Sequence, residues 1–277
     1  MSNTRLRAAF QGERGAYSEA AAVTFFDDTI EALPCNSFDC VYEAVTQGEA
    51  DRGVLPVENS LAGSIHRNYD LLLRYDLSIV GEVQIPIAHQ LIAWPGVTLT
   101  DVKKVYSHPQ ALAQCEQSIT RLLPHAERVS TYDTAGSVKM IKEQNITDGA
   151  GLASQRAASI YEMNILQPDM QDSAENYTRF VVVAPEPIMP EGEAKTSIVF
   201  SMDNVPGSLF KSLAVFALRD IDLTKIESRP QQGKRWQYLF YIDFVGSLNE
   251  ARCRNALNHL QEITTFFKVL GSYPRGV

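Results

Sequence analysis

Nowhere does the chain approach the roughly 18 consecutive apolar residues that a membrane helix requires, and the opening Met-Ser-Asn-Thr-Arg-Leu-Arg leads into no long apolar run. Neither a bilayer partner nor a secretory signal is expected. Positive charge is also in short supply: 25 lysines and arginines face 33 aspartates and glutamates, a formal net charge of −8. A nucleic-acid partner wants a basic face and is not expected either. Cysteine is sparse (Cys35, Cys40, Cys115 and Cys253) and forms no Cys-x-x-Cys pair. That argues against a zinc or dithiol site and for free thiols in a reducing cytoplasm. His66, His89, His125 and His259 show no metal-ligand spacing. They are expected to be ordinary surface or boundary residues, and no metal or other cofactor is expected.

The 277 residues are 45% apolar and 21% charged, an ordinary composition for a soluble protein of two domains. The clearest break is Ala-Pro-Glu-Pro-Ile-Met-Pro-Glu-Gly-Glu-Ala-Lys at 184–195. Three prolines, a glycine and three glutamates hold no regular element. The expected division is 1–184, a linker at 185–195, and 196–277.

Before the linker one unit recurs: an apolar run, a cluster of Gly, Ser, Thr or Asn, then a helical pattern. Residues 6–11 lead through 12–18 into a helix over 19–26, and 53–57 through 58–64 into 65–74. Residues 104–106 lead through Ser107-His108-Pro109 into one helix over 110–123, with Pro109 suited to the first turn. Residues 128–132 lead into 137–143, and 150–153 into 155–161. Strands alternating with helices predict an α/β fold. In open α/β sheets ligands bind beyond the carboxyl ends of the strands, where helix N-termini offer N–H groups and partial positive charge. Each junction carries a hydroxyl: Ser18, Ser60, Ser64, Ser107, Thr134, Ser137 or Ser154. Any one reads as a helix cap; together they favour a shared anion-binding crevice.

After the linker the order changes. A strand at 196–202, a helix at 208–219, strands at 223–229 and 238–245 around a turn at 231–234, a helix at 250–266 and a strand at 269–273 make βαββαβ, a ferredoxin-like module. Leu209, Leu213, Phe216 and Ala217 share one helix face; Cys253, Leu257, Leu260 and Phe267 share another. Such a sheet leaves a face or an edge for a partner, so self-association is expected.

Seven ordered motifs carry a resemblance. They are Gly12-x-x-Gly15-Ala16-Tyr17-Ser18, Pro56-Val57-Glu58-Asn59-Ser60-x-x-Gly63-Ser64, Ser107-His108-Pro109-Gln110-Ala111-Leu112, Asp133-Thr134-Ala135, Thr178-Arg179-Phe180, Pro206-Gly207-Ser208-Leu209 and Glu227-Ser228-Arg229-Pro230. The chain resembles the prephenate dehydratases that carry a C-terminal ACT regulatory domain, from about Phe10 to Tyr273. Arogenate dehydratases share these motifs, and a non-catalytic metabolite-binding regulator of the same plan is the second alternative. The chain opens almost directly on the Gly12 motif, so no fused mutase domain is expected.

The resemblance implies two α/β lobes like type II periplasmic binding proteins, with the active site between them and no cofactor. Prephenate would be the substrate and L-phenylalanine the effector of a homodimer or homotetramer. The reaction expels a ring carboxylate as CO₂ and a ring hydroxyl as water. Thr178 is then expected at the leaving hydroxyl as donor or relay, and Arg179 as a two-pronged carboxylate clamp. Asn59, Ser60 and Ser64 would cradle a carboxylate without adding charge. Glu58 would orient Arg179 or a hydroxyl, or be raised in pKa. His108 is a candidate general acid, or simply the residue before a helix-opening proline. Ser18, Ser107, Gln110, Thr134 and Phe180 complete the expected substrate contacts. For phenylalanine, Asn204, Gly207, Ser208 and Leu209 open a helix suited to an α-carboxylate. Glu227, Ser228, Arg229 and Pro230 would form the other wall, from a neighbouring subunit.

Overall fold

The computed structural model describes residues 5–27, 29–231, 233–234 and 236–276. The first four residues of the N-terminal segment, and Gln232 in the expected 231–234 turn, lie outside them. The chain divides into two compact units, Met1–Arg74 with Val83–Val181 and Tyr75–Glu82 with Val182–Val277.

The first unit holds two sheets. One follows the order β2-β1-β3-β11-β5, where β1 is Arg7–Gln11, β2 Glu31–Cys35, β3 Arg52–Asn59, β5 Ser78–Pro86 and β11 Tyr177–Ala184; β4 (Gly63–Ser64) pairs with β3. Its helices are α1 (Tyr17–Phe26), α2 (Phe38–Thr46) and α3 (His66–Arg74). The other sheet follows β10-β6-β9-β7-β8: β6 is Gln90–Ala93, β7 Lys104–Ser107, β8 Glu127–Ser130, β9 Gly149–Ala153 and β10 Asn164–Gln167. It carries α4 (Pro109–Gln114), α5 (Glu116–Leu122), α6 (Thr134–Glu143) and α7 (Gln155–Tyr161). Parallel pairing of β1 with β2 and β3, and of β7 with β8 and β9, needs the helical crossovers. It also buries both strand faces, which is why β3 and β9 read as nearly unbroken runs of buried residues. The chain passes from the first sheet to the second at 87–89 and returns at 168–176.

Three local expectations change. The helix over 110–123 is two helices, broken at buried Cys115 (φ −115°, ψ 13°). The distant Asp172 carboxylate accepts from Gln117 N (2.9 Å) and Ser118 N (3.0 Å), so α5 is capped from another part of the chain. Residues 58–64 are not a loop into a helix. The β3 strand continues to Asn59 and folds back, pairing Glu58 with Ser64 and Asn59 with Gly63. The helix expected over 250–266 is α9, Ala251–Glu262, and Phe267 joins the core from the strand β15, Phe266–Pro274.

The second unit adds β12 (Ala194–Ser201), α8 (Ser208–Ala217), β13 (Leu223–Pro230) and β14 (Tyr238–Val245), giving βαββαβ with sheet order β13-β14-β12-β15. Every strand pair is antiparallel. Phe200, Phe216, Phe244, Leu257 and Leu260 pack α8 and α9 on one face. The other face is polar yet buried: Ser197 Oγ donates to Asp243 Oδ1 (2.5 Å) and meets the Tyr273 hydroxyl (2.7 Å). Beside it Lys195 Nζ lies 2.7 Å from Glu82 Oε1, with both side chains buried. Glu82 comes from the 75–82 segment, which clusters with the second unit.

Removing one partner of a buried ion pair leaves an uncompensated charge, at about 3–5 kcal/mol. Lys195→Met is therefore expected to destabilise the second unit by that much in urea unfolding. Lys195→Met with Glu82→Leu should recover most of the loss.

Candidate active site

A cavity of about 640 Å³ opens between the two sheets of the first unit. The helices α1, α2, α3, α4 and α6 begin on it. Ser37 caps α2 by accepting from Cys40 N (3.2 Å). His108 Nδ1 caps α4 by accepting from Gln110 N (3.2 Å), and Asp133 Oδ1 caps α6 by accepting from Ala135 N (3.0 Å). The α1 helix starts after Ala16 with no side-chain cap. Helix starts concentrate N–H groups and positive potential, so this cavity suits an anion despite the acidic chain. Arg67 also lines it and holds Asp39 through Nη2 at 2.8 Å to both carboxylate oxygens. That guanidinium keeps the Asp39 carboxyl below its ordinary range.

The two sheets are tied beside the cavity by the loop after β1. Glu13 N donates to Asp133 Oδ2 (2.6 Å), Ser154 Oγ to Gly15 O (2.6 Å), and Gln11 Nε2 to the Tyr132 hydroxyl (3.1 Å). Gly15 has φ +90°, and a Cβ there would lie 2.7 Å from Ala157 Cα, so only glycine allows this approach. Burial raises the Asp133 carboxyl above its ordinary pKa, against the lowering effect of its backbone hydrogen bonds from Glu13 and Ala135.

Asn59 and Thr178 meet on the cavity wall. Asn59 Nδ2 donates to Thr178 Oγ1 (3.0 Å) and to Asn176 Oδ1 (2.8 Å), while Asn59 Oδ1 accepts from Leu61 N (3.1 Å) and Ala62 N (2.9 Å). Because Oγ1 accepts from Asn59, the Thr178 hydroxyl keeps its own proton to donate elsewhere.

Strand alternation sorts the expected residues. Asn59, Thr178 and Phe180 line the cavity, as do Ser18, His108, Gln110 and Thr134. Arg179 does not: it alternates to the other side of β11, where Nη1 lies 3.9 Å from Glu58 Oε2. Glu58 is likewise absent from the lining. Ser60 Oγ is used in donating to Glu175 O (2.7 Å) and accepting from Tyr177 N (2.9 Å), and Ser64 sits in the short β4. Ser107 is fully buried and donates to Leu152 O (2.7 Å), joining β7 to β9. None of these five lines the cavity, and the Ser60 and Ser107 hydroxyls are engaged with the backbone.

Other residues come to the cavity unannounced. His89, expected at a surface or boundary, is buried at the 87–89 crossing. It lies between the Tyr17 hydroxyl (Nδ1, 3.0 Å) and Gln114 Oε1 (Nε2, 3.1 Å). Burial lowers its pKa, partly offset by the Gln114 contact. Burial also raises Tyr17, with the Cys115 thiol nearby, and lifts Cys115 itself to about 12. A histidine within Ile85-Pro86-Ile87-Ala88-His89, an apolar stretch, was the available signal. In the second unit, Gly207 (φ +83°) opens α8 with Ser208 and Leu209 behind it, and Asn204 Nδ2 donates to Trp236 O (3.4 Å). Pairing of Ser201 with Leu239, and of Leu239 with Arg229, puts Gly207 and the 227–230 segment toward one end of the sheet.

Two α/β sheets closing on one cavity ringed by helix starts are the frame of an α/β enzyme. The family model for prephenate dehydratase matches residues 8–188. The chain belongs to the prephenate dehydratase family. It is 53% identical to arogenate dehydratase/prephenate dehydratase 2 of Arabidopsis thaliana, over 98% of this chain and 73% of that protein. The structure of prephenate dehydratase from Arthrobacter aurescens in complex with L-Phe matches with TM-score 0.90 at 33% identity, over 98% of this chain and 90% of that one. A structure described as the quorum-quenching acylase GqqA matches with TM-score 0.88 at 32% identity, over 97% of both chains.

Asn59→Asp keeps the shape but sets a carboxylate against Thr178 Oγ1 and Asn176 Oδ1. Leaving buried polar groups unmatched costs about 1–3 kcal/mol. The chemical-denaturation midpoint should fall accordingly, and an unchanged midpoint would mean this contact carries no weight.

Proposed function

We propose that the protein catalyses the decarboxylating dehydration of prephenate to phenylpyruvate, CO₂ and water, serving phenylalanine synthesis, with arogenate as the alternative substrate. The observation that carries the mechanism is the Asn59-to-Thr178 hydrogen bond, which leaves the threonine proton for the cavity. The ring C–O bond breaks toward the departing oxygen, which takes up one proton and leaves as water. The electrons of the ring carbon–carboxylate bond move into the ring, releasing CO₂, and aromatisation drives the step. Thr178 supplies the hydrogen bond or relayed proton at that oxygen, a contribution of roughly 10²–10⁴ in rate for a positioned acid. Helix starts and Arg67 hold the carboxylates, with Ser18, Gln110 and Thr134 as neutral donors and Phe180 against the ring. His108 serves mainly as the α4 cap. Arg179 and Glu58 brace the strands behind Thr178 and Asn59.

The βαββαβ unit is read as an ACT regulatory domain, in a chain divided near the 185–193 stretch, and the catalytic region as two type II periplasmic-binding-like lobes. L-Phenylalanine would place its carboxylate at the start of α8, around Asn204, Gly207, Ser208 and Leu209. The second wall would be Glu227, Ser228, Arg229 and Pro230 of a second copy, in a homodimer or homotetramer. Support comes from the helix opening at Gly207 and from the L-Phe named in the Arthrobacter aurescens structure. Free cysteines fit a reducing cytoplasm.

Steady-state assay of prephenate and arogenate with one preparation tests the activity; turnover of neither overturns it. Thr178→Ala should keep the fold and lose at least ~10² in kcat, while Thr178→Ser retains most of it. For regulation, Gly207→Val puts a β-branched residue at φ +83° and should weaken L-phenylalanine binding roughly tenfold or more in titration calorimetry. Equal affinity would move the effector site elsewhere. Deleting the C-terminal unit is the poorer experiment, since Glu82 would lose Lys195.

A further inference from the structure

We propose that His89 is a positioning residue, whose Nε2–H holds Gln114 and, through Asn176, keeps an acceptor of Asn59 Nδ2 in place beside Thr178. The inference deepens the dehydratase reading and rests on it.

The argument starts from two groups that cannot reverse. Backbone N–H groups only donate, so Leu61 N and Ala62 N require the oxygen of Asn59 to face them. Its Nδ2 must then face the other way. Three acceptors lie within reach of its two protons: Asn176 Oδ1 at 2.8 Å, Thr178 Oγ1 at 3.0 Å and Tyr177 O at 3.0 Å, the last also receiving Ser60 N. The Asn176 contact is the shortest of the three. With its oxygen toward Asn59, Asn176 presents Nδ2 to Gln114 Oε1 at 3.1 Å. That same oxygen faces His89 Nε2 at 3.1 Å, and two facing acceptors would repel. Only the tautomer with the proton on Nε2 satisfies the row. Nδ1 then accepts the single proton of the Tyr17 hydroxyl at 3.0 Å, in place of the Ala88 carbonyl that the same hydroxyl also reaches.

Direction thus runs unbroken from a backbone turn to an imidazole, through Asn59, Asn176 and Gln114. Removing the Nε2–H donor frees Gln114 to rotate its amide. Asn176 can then rotate too, and Asn59 Nδ2 loses one of its acceptors beside Thr178. His89 lines the cavity wall yet reaches Thr178 only through this row.

Side-chain chemistry offers a discriminating pair. The amide nitrogen of glutamine falls close to histidine Nε2, and that of asparagine close to Nδ1. His89→Gln keeps the donor to Gln114 and should hold kcat within about threefold of wild type. His89→Asn loses it and should drop kcat roughly tenfold or more, with KM changed less than about twofold in both. Equal kcat in the two variants, whether high or low, overturns the proposal. Should either variant fail to fold, long-range ¹H–¹⁵N spectra of histidine-labelled wild-type protein decide: the proton on Nε2 is expected, and a proton on Nδ1 alone refutes it. That spectrum is independent of turnover, so an enzyme inactive on both prephenate and arogenate would sink the dehydratase reading without deciding the tautomer.

Discussion

The amide groups of Leu61 and Ala62 donate and cannot accept, and the polar wall of the cavity depends on that asymmetry. They turn Asn59, and Asn59 in turn determines which atom of Thr178 is occupied and which is free. The tight fold-back of β3 into β4 is what aims both amides at one side-chain oxygen. A loop in its place would leave Asn59 free to flip. The helix starts around the cavity supply potential for an anion, but potential alone has no direction at the scale of one proton.

Much of the architecture was legible in the chain. Alternating apolar runs and hydroxyl-rich junctions gave away the α/β order, and the βαββαβ order after the prolines was readable from helix faces and turns. Thr178 and Asn59 were expected together from the motifs that carry the family resemblance, and the structure sets them side by side on the cavity wall. What was not legible depended on distant partners. The break at Cys115 comes from Asp172, and the burial of His89 from the chain crossing between sheets at 87–89. Arg179, Glu58, Ser60, Ser64 and Ser107 looked as chemical as their neighbours. Only strand alternation and backbone hydrogen bonds separate a side chain facing the cavity from one facing away, and a motif records neither.

Chain composition and compact packing mark different places along the chain. Prolines mark where a chain leaves regular structure, and 185–193 does so. Compactness is set instead by what packs together, and Glu82 packs with Lys195, more than a hundred residues away. A buried lysine needs a carboxylate wherever the chain can provide one. The 75–82 segment provides it, and Gly271 lets that segment approach: a Cβ at 271 would lie 2.1 Å from Ile79 O.

Thr178 is the second residue of β11, and its neighbours along the strand face the other way. A strand's side chains alternate, so a shift along its axis by one residue, about 3.3 Å, would replace the Thr178 hydroxyl with the Arg179 guanidinium. Axial sliding is therefore a forbidden stroke. Tilt or twist of the strand, unlike sliding, would keep the Thr178 hydroxyl on the Asn59 side. The Asn59–Thr178 hydrogen bond is thus a matter of register before it is one of position.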